Sequence, residues 1–329
     1  MRVAIPHGHI GLWDGSSRYI TDVAGLFASH GHAVTVFSES CARQLPEGVA
    51  SRQLQQLGDD DEFDLLYGSD LRVLPALFER SARFFYAPLD VLASSATLER
   101  WALDRCERLL RFTVPAVEIL ERTYAVPLRA KSLVAVYVSL DSEGLPEPLY
   151  PRPQPAQLLW VGRLIPSKNV GFLIRAAALL RTADWQLVIA GDGPDRQALE
   201  RQTQQLGLQG QVEFCGHEAA LGPRFDSASL FLTASRQEHY SLTLMEAYAH
   251  GLPCIGLAPD GEQIFNAIPE QIVHGRTGLV VRHERELAQA VDELLGDEER
   301  RQQMARRGWQ RKQNEFTNER FWQALQGAL

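Results

Sequence analysis

Short apolar runs alternate along this chain with longer stretches in which apolar residues recur every three or four positions. Val3–Pro6, Ala33–Phe37, Asp64–Tyr67, Arg83–Ala87, Leu109–Thr113 and Leu133–Tyr137 are apolar enough to predict buried strands. Helical patterns fill the spaces between them, the first starting after Gly15 and ending at His30-Gly31-His32. Strands without polar alternation need cover on both faces, which indicates a parallel sheet between layers of helices. Residues 144–157 interrupt the series with Gly144 and Pro146, Pro148, Pro151, Pro153 and Pro155, the composition of a semi-rigid linker.

The alternation then restarts. Leu158–Val161, Leu187–Ala190, Val212–Cys215, Leu230–Thr233, Cys254–Leu257 and Leu279–Val281 read as strands. A predicted helix over 169–181 carries Val170, Leu173, Ile174, Ala177 and Leu180 on one stripe. The tail after Glu284 reads as two or three helices. The expected class is therefore α/β, with two doubly wound Rossmann-like domains facing a cleft. The expected domains are 1–150, 151–315 and a terminal helix, 316–329, that returns to the first. Ligands in such sheets bind beyond the carboxyl ends of the strands.

Composition narrows the classes. The 329 residues are 45% hydrophobic and 22% charged, with a net charge of −8. Neither half carries a basic excess, so a nucleic-acid partner is not expected. Cys41, Cys106, Cys215 and Cys254 are scattered, with no Cys-x-x-Cys pair, which points to a cytoplasmic protein without a zinc site. No apolar run is long enough to span a bilayer, so membrane contact is at most peripheral. Lys131, Lys168 and Lys312 are the only lysines in an arginine-rich chain.

Familiar phosphate loops are missing. Gly8, Gly11 and Gly15 lack the spacing of a dinucleotide fingerprint, Arg196 replaces the third glycine after Gly191-Asp-Gly193, and there is no P-loop. Asp59-Asp60-Asp61-Glu62 reads as a solvated loop rather than a metal site. Two segments carry the candidate chemistry. In the first, Gly162 lets the backbone turn close to a ligand. Arg163 and Lys168 flank the loop at a strand's carboxyl end, either as an anion site or as two ordinary surface cations. In the second, Ser241 is a good N-cap and Gly251 a good helix stop, giving a helix of about Leu242 to His250. Its free N–H groups at Leu242 and Thr243 carry the dipole's positive end. Glu238 lies before this helix and Glu246 inside it, two carboxylates able to accept the protons of vicinal hydroxyls.

Residues 157–283 resemble the nucleotide-sugar half of glycosyltransferase family 4, which has the GT-B fold. The resemblance rests on Gly162-Arg163-Leu164 with Lys168-Asn169, and on Gly191-Asp-Gly-Pro194. Val212-Glu-Phe-Cys-Gly216, the Glu238 and Glu246 pair, and Gly275-Arg-Thr-Gly278-Leu complete it, in matching order. It implies a retaining transferase that moves a sugar from a UDP- or GDP-sugar to a hydroxyl acceptor, in glycan, glycolipid or glycoside biosynthesis. Arg163 and Lys168 would grip the diphosphate, Glu238 the sugar and Glu246 the ribose. Backbone at Tyr240, Ser241, Leu242 and Thr243 would meet the distal phosphate, and Gly216 and His217 the base. Tyr240-Ser241 replaces the family's usual Phe-Gly.

The first domain would hold the acceptor, with Gly15, Ser16, His9 and Asp90 as candidates. Ala87-Pro88-Leu89-Asp90 lacks the histidine that many members place there, and His7 or His9 could face the acceptor instead. Trp13 and Tyr19 could stack on a sugar. No metal or cofactor is expected, because two cations stand where a metal would otherwise hold the diphosphate. A nucleotide-sugar isomerase of the same fold and a non-catalytic partner subunit are the alternatives.

Overall fold

Apolar strands with two faces to cover find that cover in the computed structural model, which describes all residues except 12–14, 69, 89–94, 136–143, 149–154 and 219. The chain divides into two compact units, Met1–Leu140 with Asn318–Leu329, and Asp141–Thr317.

The first unit is built on seven parallel strands: β1 (Arg2–Pro6), β2 (Ala33–Phe37), β3 (Val49–Arg52), β4 (Leu65–Gly68), β5 (Phe84–Tyr86), β6 (Arg108–Arg111) and β7 (Ser132–Val134). Their order is β3-β2-β1-β4-β5-β6-β7. Strand β3 escapes the hydrophobic pattern because it is an edge strand, Val-Ala-Ser-Arg, with no buried residue. The central strands are buried on both faces, as their composition requires.

Polar contacts fix the loops at the carboxyl edge of this sheet. Ser17, fully buried in helix Gly15–Ser29, accepts the Gly11 N–H at 2.9 Å and donates to the His9 carbonyl at 3.3 Å. Asp70 accepts the Gly8 N–H at 2.8 Å, joining the loop after β1 to the segment after β4. Burial pushes the Asp70 carboxyl up, but the Arg72 guanidinium and the Gly8 and Arg72 N–H groups outweigh it and hold it at about 2. Arg52 grips Asp61 at 2.9 Å through both nitrogens, so this member of the acidic run is a loop fastener.

The second unit has six parallel strands: β8 (Ala156–Val161), β9 (Trp185–Ala190), β10 (Val212–Gly216), β11 (Leu230–Thr233), β12 (Cys254–Leu257) and β13 (Gly278–Val281). Their order is β10-β9-β8-β11-β12-β13, so the order reverses between β8 and β11. Helix Val170–Ala177 buries the predicted Val170, Leu173, Ile174 and Ala177 but stops short of Leu180. The described part of the proline-rich stretch is tied to helix Glu298–Glu315. Arg306 meets Glu147 at 2.8 Å, and Gln313 donates to the Leu145 carbonyl at 3.0 Å.

The tail forms three helices, Glu284–Gly296, Glu298–Glu315 and Asn318–Gln326. The last belongs to the first unit. Phe321, Trp322 and Leu325 are buried there. The Trp322 ring stacks on His30 at 4.0 Å and meets the edge of Phe27 at 5.3 Å. Arg83 donates to the Ala328 and Leu329 carbonyls, closing the chain end.

Two outcomes follow from these contacts. Trp322→Ala should cost about 3–5 kcal/mol, the usual loss for truncating a buried tryptophan, read as a shift of the first unit's unfolding transition. Asp70→Asn should cost about 1–2 kcal/mol at pH 7, from a carboxyl held roughly two units low and a partly exposed partner. A lowered carboxyl stabilises fully above its unfolded value near 4 and loses that contribution as pH falls toward 2. The difference between variant and wild type should therefore shrink below about pH 4 in denaturant titrations. A constant difference from pH 7 to pH 3 would refute the assignment.

Candidate active site

Three loops meet at the carboxyl edge of the second sheet. A Cβ on Gly191 would lie 1.8 Å from the Gly162 carbonyl oxygen, and one on Gly193 would lie 2.4 Å from that of Leu164. Glycine at both positions lets the loop after β9 lie flat on the loop after β8. Backbone bonds then join them: Gly162 N–H to Ala190 O at 3.0 Å, Leu164 N–H to Asp192 O at 2.8 Å, and Gly191 N–H to Gly216 O at 2.7 Å. Gly216 has φ +71°, a conformation glycine adopts without strain. It ends β10, and His217, the next residue, is exposed.

From this base the loop after β8 presents Arg163 and Lys168. Arg163 is exposed, with no ion pair or side-chain hydrogen bond among the described residues. A single 3-10 turn, Pro166–Lys168, carries the lysine. Asn169 follows with φ +54°, a left-handed residue that its short polar side chain tolerates, and starts helix Val170–Ala177.

The lysine is not a bare cation. Its Nζ lies 2.5 Å from Glu238 Oε2, with both side chains largely buried. The same oxygen accepts the Ser235 hydroxyl at 3.1 Å. Glu238 sits on a short strand, Gln237–Glu238, paired in parallel with Phe265–Asn266. Asn266 is buried and donates to the Ser235 and Leu257 carbonyls at 2.9 and 3.0 Å. The Arg236 N–H donates to Ser167 O at 2.7 Å, which ties the lysine's turn to the glutamate's strand.

Helix Leu242–Ala249 follows, capped as expected by Ser241, whose Oγ accepts the Leu244 N–H at 3.3 Å. Gln271 supports the cap from outside: its Oε1 accepts the Ser241 N–H at 2.8 Å and its Nε2 donates to the Ser241 carbonyl at 3.0 Å. The N–H groups of Leu242 and Thr243 take no acceptor among the described residues, as helix geometry leaves them. Tyr240 is buried, and burial pushes its hydroxyl well above the usual value. Glu246, also buried, lies one turn into the helix. Tyr248 anchors the far side: its hydroxyl reaches Thr277 at 2.7 Å, and its ring packs where Gly308 of helix Glu298–Glu315 has no side chain.

Arg163, Lys168, Glu238, the Ser241–Thr243 backbone and Glu246 thus lie on the segments that follow β8 and β11, where the strand order reverses. Sequence reasoning missed the supports Gln271 and Asn266, and it missed Arg236. Asn266, Glu270 and Gln271 interrupt an otherwise apolar Phe265–Ile272, the one signal that was available.

The first-unit candidates have other settings. His9 is exposed, with Nε2 at 3.2 Å from Glu39 and Nδ1 at 3.0 Å from the Ser40 hydroxyl. The His7 N–H bonds to Phe37 O at 2.9 Å. Gly15 and Ser16 open helix Gly15–Ser29. The Tyr19 hydroxyl is buried against that of Tyr67, so this ring belongs to the core. Asp90 and Trp13 lie outside the described residues. Among the described residues no group of three or more His, Cys, Asp or Glu side chains is placed to hold a metal.

Residues 143–311, just over half of the chain, match the family of glycosyl transferases group 1. The chain belongs to that family. Alpha-D-kanosaminyltransferase of Streptomyces kanamyceticus is 37% identical to this chain over 155 residues, 45% of this chain and 38% of that protein. N-acetyl-alpha-D-glucosaminyl L-malate synthase of Bacillus anthracis is 31% identical over 157 residues, 47% of this chain and 40% of that protein. The matches therefore span about two fifths of those relatives. Along its whole length the chain resembles Anabaena HepE, solved with UDP and glucose, at a TM-score of 0.79 and 17% identity, covering 99% of each chain. Sucrose-phosphate synthase from Thermosynechococcus elongatus superposes at 0.78 with 17% identity, covering 99% of this chain and 97% of that one. These likenesses establish the GT-B fold.

Gln271→Leu should isolate the contribution of the cap's outer support. It strips partners from the buried Ser241 N–H and carbonyl, at about 1–3 kcal/mol. Proteolysis or hydrogen exchange should show the 239–243 segment opening more often than in wild type. Unchanged protection there would show that Gln271 does not hold the cap.

Proposed function

We propose that this glycosyltransferase moves a hexosyl group, with retention of configuration and without a metal ion, from a UDP- or GDP-sugar to a hydroxyl acceptor. One observation carries this reading: unpaired cationic charge, a lysine–glutamate pair, two open helix N–H groups and a second carboxylate share one sheet edge. That set suits a nucleoside diphosphate joined to a sugar. Arg163 and the Leu242 and Thr243 N–H groups receive diphosphate oxygens. Glu246 accepts the ribose hydroxyl protons, and Glu238 those of the sugar. Gly216 and His217 border the base.

In the reaction the bond between the anomeric carbon and the diphosphate oxygen breaks, and a bond from the acceptor oxygen to that carbon forms. The acceptor's proton passes to the leaving phosphate. Preorganised positive charge lowers the barrier by stabilising the departing diphosphate. The first unit, with the His7–Gly11 loop and the start of helix Gly15–Ser29, takes the acceptor. The names of the relatives, a kanosaminyltransferase and a glucosaminyl L-malate synthase, support a small or carbohydrate hydroxyl acceptor. Four free cysteines, one of them exposed, support a reducing cytoplasmic setting. Among the described residues no helix is long and apolar enough to cross a membrane, and glycan, glycolipid or glycoside assembly remains the proposed context.

The test is thermal unfolding with UDP, GDP and ADP in the presence of EDTA. A ligand at 100 times its Kd stabilises by about 2.7 kcal/mol, so one of the first two should raise the transition. Arg163→Ala should weaken that ligand at least about tenfold, the loss of one charge-assisted contact. Absence of any shift with all three nucleotides would overturn the reading. Turnover lost in EDTA and restored by magnesium or manganese would overturn its metal-independent form.

A further inference from the structure

The placement of Lys168 changes which cations are available to an incoming anion. Its ammonium is 2.5 Å from Glu238, and Ser235 holds the same carboxylate oxygen in place. Together the two side chains carry no net charge. A diphosphate therefore meets less positive charge here than the sequence suggests, unless another cation stands nearby.

Arg236 is that cation. Its backbone is clamped on both sides: its N–H donates to Ser167 O at 2.7 Å, and its carbonyl accepts the Phe265 N–H at 2.6 Å. Ser167 precedes Lys168, and Glu238 follows Arg236 by two residues, so Arg236 stands at the junction of the two loops that form the pair. Its side chain is exposed and has no ion pair or hydrogen bond among the described residues. The arginines nearby on the β9–β10 side are spent on local partners. Arg196 bonds Asp192, Glu200 and the Phe214 carbonyl, and Arg224 bonds Glu213 and Glu218. A guanidinium left unpaired on a fixed backbone beside a neutralised lysine has the fork geometry that phosphate oxygens accept in pairs.

We propose that Arg236 is a donor-binding residue that, with Arg163, supplies the uncompensated charge for the diphosphate while Lys168 is held by Glu238. The inference rests on the nucleotide-sugar reading of the site and adds to it a residue and an order of engagement. The diphosphate is captured by the two arginines. Lys168 turns to it when sugar hydroxyls take up Glu238.

The experiment is calorimetric titration of the intact protein with UDP, GDP, UMP and GMP. Wild type, Arg236→Ala, Arg236→Lys, Glu238→Gln and, as an exposed control outside the site, Arg201→Ala are compared. Binding of neither diphosphate by wild type would sink the transferase reading itself. Given wild-type binding, Arg236→Ala should weaken the diphosphate about tenfold, equal to about 1.4 kcal/mol. The monophosphate should change less than about threefold, and Arg236→Lys should recover part of the loss. Glu238→Gln should tighten the diphosphate by several-fold, because it releases the lysine. Arg201→Ala should match wild type, and all variants should keep the wild-type unfolding transition without ligand. Diphosphate affinity unchanged in Arg236→Ala, or equally weakened in Arg201→Ala, would overturn the assignment. Weaker diphosphate binding by Glu238→Gln would overturn the neutralised-lysine premise.

Discussion

Everything at the second unit's ligand edge depends on how closely two loops approach each other. With 1.8 Å between a would-be Cβ on Gly191 and the Gly162 carbonyl oxygen, no side chain fits there. That contact forces the loop after β8 to bend over the strand ends and deliver Arg163 outward. Its backbone bonds to the loops after β9 and β10 give the bend a rigid floor. A site that recognises anionic oxygens needs its donors fixed before the ligand arrives, since reorganisation would consume the binding energy. Glycine supplies the closeness, and the parallel sheet supplies the rigidity.

A second layer of support is polar and buried. Asn266 and Gln271 each bond backbone groups on segments about thirty residues earlier in the chain. Their amides replace the regular ladder that a loop lacks, so the Ser235–Ser241 crossing keeps one shape without becoming a long strand. Buried amides with donors and acceptors both satisfied favour one arrangement over near neighbours. The carboxylate of Glu238 gains its orientation from this crossing.

The fold was legible because its signals are local and repeated. Apolar runs gave twelve of the main strands to within a few residues, and Ser241 and Gly251 bracketed the helix that holds Glu246. The glycine spacing located the loops that pack together at the sheet's carboxyl edge. What stayed hidden was either weakly apolar or distant in sequence. Strand β3 has no buried residue, so burial left no mark on its composition. Lys168 and Glu238 are seventy residues apart, and nothing in either segment alone says that one neutralises the other. Residue types marked candidate positions, while the charge balance among them is a property of the folded chain.

Lysine usage sharpens this point. In a chain that otherwise uses arginine, each lysine occupies an enclosed position. Lys131 donates to the Leu103 and Cys106 carbonyls at the end of helix Ala96–Arg105, where a cation complements the helix dipole. Lys312 is almost fully buried in helix Glu298–Glu315. Lys168 is the third, set against one carboxylate oxygen that a serine also occupies. A planar guanidinium needs room for a two-point contact, whereas an ammonium can meet a single oxygen and swing on a flexible stem. The position therefore suits a cation that meets a single carboxylate oxygen rather than one that needs a two-point contact.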